Sequence, residues 1–111
     1  MTRNRNRCLT PILFALAAMP LIASAQEYLN ERQLLGMRLY NQSCRVCHTR
    51  PHNAPVQYGP TLSRVSLGGN DDALRAFIGN GSARMPGFKY HFKPAEIDAI
   101  VAYIKTIPSP D

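Results

Sequence analysis

Cys44-Arg45-Val46-Cys47-His48 is the stretch on which the reading of this chain turns. Two thiols three residues apart, followed at once by a histidine, form the attachment sequence for a c-type haem. The spacing lets both sulfurs reach the two vinyl groups of one porphyrin, and His48 is then placed to ligate the iron from one face. Two other readings of the pair stay open here. A redox dithiol belongs in βαβ surroundings, and no strand pattern flanks this motif. Zinc needs two further ligands at suitable spacing. His48 and His52 could serve, with His91 to spare, but there is no second cysteine pair.

Upstream of the motif, residues 1–25 read as an export signal. Arg3, Arg5 and Arg7 make a charged start, Pro11 to Ile22 is apolar, and Ala23-Ser24-Ala25 is a small-x-small cleavage site before Gln26. The uncharged run Leu9–Ala25 only touches the lower limit of about 17–25 residues for a membrane span. Pro20 and the cleavage site also count against an anchor, so none is expected. Cys8 leaves with the signal, and Cys44 and Cys47 remain as one pair in a single domain, residues 26–111. The expected location is the periplasm.

Charge narrows the partners. The chain has 13 basic and 7 acidic residues, a net of +6. Without the three signal arginines the balance is ten against seven, or +3. That mild bias suits an acidic protein partner. There is no dense basic run, so nucleic acid is not expected.

Hydrophobic spacing gives an all-α reading. Leu29–Gln42 enters the motif as a helix, with Leu35, Leu39 and Val46 as its stripe and Met37 and Tyr40 beside it. Residues 49–69 carry too many prolines and glycines for a long helix and read as a loop with a single helical turn. Asn70-Asp71-Asp72 can cap a short helix whose apolar face is Leu74, Phe77 and Ile78, ended at Gly79 or Gly81 in a left-handed conformation. A second loop, Asn80–Lys93, holds Met85-Pro86-Gly87. The final helix starts at Pro94, repeats Ile97, Ile100, Val101 and Ile104 at i, i+3, i+4, i+7, and is stopped by Pro108 and Pro110.

The sixth iron ligand has few candidates. Met1 and Met19 leave with the signal, and Met37, on the helix before the motif, reads as packing. Met85 lies in a loop between two helices that can fold over the other porphyrin face, stiffened by Pro86. His52 and His91 are rivals.

With these segments in order, the chain resembles the monohaem class I cytochromes c. The resemblance covers most of residues 32–107 and rests on Gly36-x-x-x-Tyr40, Cys44-x-x-Cys47-His48, Gly59-Pro60-x-Leu62, Arg84-Met85-Pro86-Gly87-Phe88 and Glu96 to Lys105. It implies a small cytochrome c fold, N- and C-terminal helices packed crosswise around one covalently bound haem c. It further implies that the Pro60 carbonyl accepts the free ring N–H of His48, that Leu62 packs on the haem, and that Gly36 and Tyr40 cross the last helix near Ala102 and Tyr103. The axial iron ligands would be His48 and Met85.

The implied role is single-electron transfer by a monomer without substrate turnover. Electrons would pass from a dehydrogenase or cytochrome complex to a terminal oxidase, with Arg45, Arg50 and Arg84 as a docking rim. A haem enzyme or gas-binding protein, and a dedicated subunit of one dehydrogenase, are the alternatives. Two stretches depart from the pattern. Thr49–Tyr58 lacks the family's glycines, which leaves propionate contacts from Tyr58 or Arg64 open. Lys93 replaces the usual Ser or Thr cap, so the last helix is expected to start less firmly.

Overall fold

The computed structural model describes residues 28–53 and 55–110. The proposed signal and its cleavage site lie outside them. Four helices are present: α1 (Glu31–Ser43), α2 (Arg45–His48), α3 (Asp71–Asn80) and α4 (Pro94–Ile104), with a 3₁₀ turn at Ser66–Gly69. There is no strand among the described residues.

α1 starts in a capping box. The Asn30 side chain accepts from the Gln33 N–H and the Gln33 side chain accepts from the Asn30 N–H, both at 2.9 Å. Such a cap contributes about 1 kcal/mol. The buried stripe differs from the expected one. Gly36, Tyr40 and Cys44 are buried and Leu39 packs partly buried against the core as expected, whereas Val46 is 75% exposed. The reason is α4, which crosses so close that the stripe is chosen by size. A Cβ at Gly36 would overlap the Ala99 carbonyl and come within 2.9 Å of the Tyr103 Cβ. The crossing point is therefore Ala99, one turn before the expected Ala102. Tyr40 meets Tyr103 edge-on at 5.3 Å, as the resemblance implied for that pair.

α4 follows its periodicity. Ile97, Ile100, Val101 and Ile104 are buried, joined by Ala99. Each fully buried aliphatic side chain here contributes on the order of 1.5–3 kcal/mol. The start is firmer than expected. Lys93 has no side-chain acceptor, but Glu96 reaches back to accept its N–H at 2.7 Å, and Pro94 occupies the first turn. The end comes before the prolines: the chain tightens after Ile104, with Thr106 and Ile107 N–H groups donating three residues back.

α3 is capped by Asn70, whose side chain accepts from the Ala73 N–H at 2.9 Å. Leu74 and Ile78 are buried, but Phe77 is 43% exposed and turns toward the cleft described below. Gly81 ends the helix at φ 72°, ψ −163°, a region open to glycine alone rather than the left-handed helical one. Asp98 on α4 ties the helices together, pairing with Arg32 of α1 and Arg75 of α3, and Arg75 also reaches Asp72. Lys105 bonds the Gly69 carbonyl at 2.6 Å and Asp71 at 3.0 Å, holding the Asp71 carboxyl below its usual range. These ion pairs are partly solvated and add little beside the apolar core.

Candidate functional site

Cys44, Cys47, His48, Pro60, Leu62 and Met85 all line one cleft of about 620 Å³. That volume lies within the range of cofactor sites, and so does the mostly apolar wall supplied by Leu74, Phe77, Ile78 and Phe88. The two thiols come from the junction of α1 and α2. Cys44 is buried; burial first, then Cys47 beside it, pushes its thiol up to about 11. Cys47 and His48 follow on α2, whose single turn brings both to the same wall.

The histidine is held in one orientation. Its Nδ1 lies 2.7 Å from the Pro60 carbonyl oxygen. A carbonyl can only accept, so Nδ1 carries the proton and Nε2 keeps its lone pair for a metal. The loop bearing Pro60 presses close to the ring. A Cβ at Gly59 would stand 2.9 Å from His48 Cε1 and 3.0 Å from Nδ1. Gly59→Ala is therefore expected to tilt the imidazole and weaken its bond to Pro60. A shifted visible spectrum and a changed reduction potential, at unaltered haem content, would show it; an unchanged potential would count against so tight a seat.

Met85 arrives from a loop folded back on the end of α3. Ser82 and Met85 exchange backbone bonds at 2.8 and 3.3 Å, and the Phe88 and Lys89 N–H groups donate to the Ile78 and Gly79 carbonyls. The Met85 side chain is half-buried against the core. Tyr58 and Arg84 join the two loops: the Tyr58 hydroxyl donates to the Arg84 carbonyl at 3.3 Å, and the Arg84 guanidinium lies over the Tyr58 ring at 5.0 Å. Arg64 does not line the cleft; its backbone N–H donates to Ile107. Met37, His52 and His91 do not line it either, and both histidines are exposed.

One contributor has no signature in the sequence. The Gln57 amide nitrogen, with two N–H donors, lies 2.7 Å from the Gly59 carbonyl oxygen, 3.1 Å from the His48 carbonyl oxygen and 3.2 Å from the Thr61 hydroxyl. A lone glutamine in a proline-rich loop has no periodicity or spacing to mark it.

The donor set decides between the cofactors. A ring nitrogen with a free lone pair, a thioether and two thiols suit haem iron and its thioether tethers. A bare ion is poorly served: among the described residues no three His, Cys, Asp or Glu side chains are grouped to hold one. The redox-dithiol reading lacks its βαβ frame.

A helical chain with this cleft has the fold and site of a small monohaem c-type cytochrome. The chain belongs to the cytochrome family described as "Cytochrome C oxidase, cbb3-type, subunit III", whose model matches residues 31–104. Cytochrome c6 of Limnospira maxima is 32% identical over 77 residues, covering 62% of this chain and 85% of the relative. Cytochrome c6 of Nostoc sp. is 32% identical over 73 residues, covering 62% of this chain and 65% of the relative. The chain thus spans just under two-thirds of the Nostoc protein's length. A solved structure, "Kustc0563 Y40F mutant", aligns at 22% identity with a TM-score of 0.49, over 64% of this chain and 95% of that one. The fold is the all-α cytochrome c fold and the cofactor is covalent haem c.

Proposed function

We propose that this protein is a single-electron carrier in which Cys44 and Cys47 tether haem c while His48 and Met85 fill both axial positions. The observation that supports it most is the cleft gathering those four side chains, with His48 Nδ1 committed to Pro60. Haem iron with both axial positions filled exchanges one electron and leaves no site for substrate, and methionine ligation raises its potential. Leu62, Leu74 and Phe88 exclude water from the site, and Met85 supplies a soft donor.

The test is Met85→Ala. Haem should stay attached, the potential should fall, and carbon monoxide should bind the reduced protein where the parent resists it. If the variant keeps the parent's spectrum and potential while His52→Ala or His91→Ala loses both, a bis-histidine site replaces this reading. Carbon monoxide binding by the unaltered reduced protein would instead support an enzyme or gas-binding role.

The wider setting belongs to the same proposal. Residues 1–25 are removed after Ala25 and the domain works in the periplasm, accepting from a dehydrogenase or cytochrome complex and passing to an oxidase. No helix among the described residues is long and apolar enough to cross a membrane. Arg45, Arg50 and Arg84 are exposed, and Arg84 borders the cleft, as a rim for an acidic partner would require. Intact-mass analysis of the exported protein should give residues 26–111 plus one haem.

A further inference from the structure

We infer that Gln57 is a positioning residue for the proximal histidine and so helps to set the reduction potential. This rests on the reading that His48 ligates the iron.

The geometry is a closed ring. The His48 side chain donates from Nδ1 to the Pro60 carbonyl at 2.7 Å. The two N–H groups of the Gln57 amide serve the Gly59 carbonyl at 2.7 Å and the His48 main-chain carbonyl at 3.1 Å, with the Thr61 hydroxyl oxygen also within reach at 3.2 Å. Two of those three acceptors are carbonyl oxygens, which fixes the amide with its nitrogen inward. A fourth bond, from the Gly59 N–H to the Cys47 carbonyl at 2.8 Å, runs alongside. Gln57 thus clamps Gly59, the residue before Pro60, to the backbone of the residue whose ring Pro60 must meet, with Thr61 on the other flank close beside the same amide.

Without the clamp, the loop's prolines and glycine offer few N–H groups to hold it. Pro55 and Pro60 have none, and Gly59 spends its own on Cys47. The Pro60 carbonyl would then sample a wider range of distances from Nδ1. A bond to that ring N–H raises the basicity of the ligating nitrogen and favours ferric iron. Loosening it favours the ferrous form and raises the potential.

The probes are Gln57→Leu and Gln57→Met, which keep bulk and remove both donors, with Thr61→Val to remove the longest of the three contacts. The holoprotein is measured by redox titration, by NMR of the ferric state for the hyperfine-shifted ring protons of His48 and the exchange of its Nδ1 proton, and by thermal unfolding. Both Gln57 variants should raise the ferrous-to-ferric ratio at a given applied potential about threefold, or about 28 mV at ~59 mV per decade. Exchange of the Nδ1 proton should quicken by a similar factor, with Thr61→Val changing both less.

Unchanged potential and exchange in both variants, with the parent's His48 protons hyperfine-shifted, would overturn the role of Gln57 and leave ligation intact. A lowered unfolding midpoint with unchanged exchange would make Gln57 a structural residue only and overturn it too. Parent His48 protons without a hyperfine shift would overturn the ligation reading, and this inference with it.

Discussion

Replacing Cys44 and Cys47 together by alanine is expected to give a chain with no covalent haem and no cooperative unfolding transition. The apolar side chains of the cleft that the protein itself leaves partly uncovered, among them Leu62, Phe77 and Phe88, need a plate to pack on. Domains of roughly 60–150 residues bury only about 60–70% of the surface their unfolded chains expose, and those near the lower end lean on a cofactor or staple. Each of those side chains contributes on the order of 1.5–3 kcal/mol when fully covered. Losing cover on several would consume most of a total stability of about 5–15 kcal/mol. Pyridine-haemochrome absorbance should fall to background, and far-UV circular dichroism should show little helix. A compact, protease-resistant double variant would show that α1, α3 and α4 make a sufficient core by themselves.

The second large effect is expected at Gly36. A Cβ there would overlap the Ala99 carbonyl oxygen, so any side chain must push α1 and α4 apart. Gly36→Val adds a branched group where even one carbon overlaps backbone, and backbone cannot swing aside as a flexible side chain can. Overpacking a tight core costs about 1–3 kcal/mol even where neighbours give way. Here the Tyr40–Tyr103 contact and the burial of Ile100 and Ile104 would suffer as well. The thermal midpoint should fall by more than 10 °C, since about 1 kcal/mol shifts a domain this small by roughly 4–8 °C. Gly36→Ala should lie between. A valine variant as stable as the parent would refute the close crossing.

What could be read from the sequence was local. The spacing of Ile97, Ile100, Val101 and Ile104 declares a buried helix face, and α4 buries those four. Asn70 before two aspartates declares a helix start, and α3 begins there. The attachment motif announces its cofactor at sight. What escaped was the product of long-range contact. Of Leu35, Leu39 and Val46, Leu39 does pack against the core, but Val46 points to solvent and the fully buried positions are Gly36, Tyr40 and Cys44. Phe77 has the right spacing for the core, yet it stands at the cleft, because the cofactor's wall is built from residues a plain helix bundle would bury. Asn30 and Gln33 form a capping box that the apolar pattern does not reveal. Gln57 meets its three neighbours in a loop without periodicity, and only the folded chain brings them together.

The contact of α1 with α4 also orders events in time. A chain made from its N-terminus presents Cys44-Arg45-Val46-Cys47-His48 long before Pro94–Ile104 emerges. Until then the Gly36–Tyr40 face has nothing to bury against, and Cys44 stays accessible. Docking of α4 completes a fold in which Cys44 is 6% exposed. On the expectation that the chain without haem is not stably folded, α4 docks for good only once both sulfurs are attached. The same helix that stabilises the finished protein then seals the first of those sulfurs behind it.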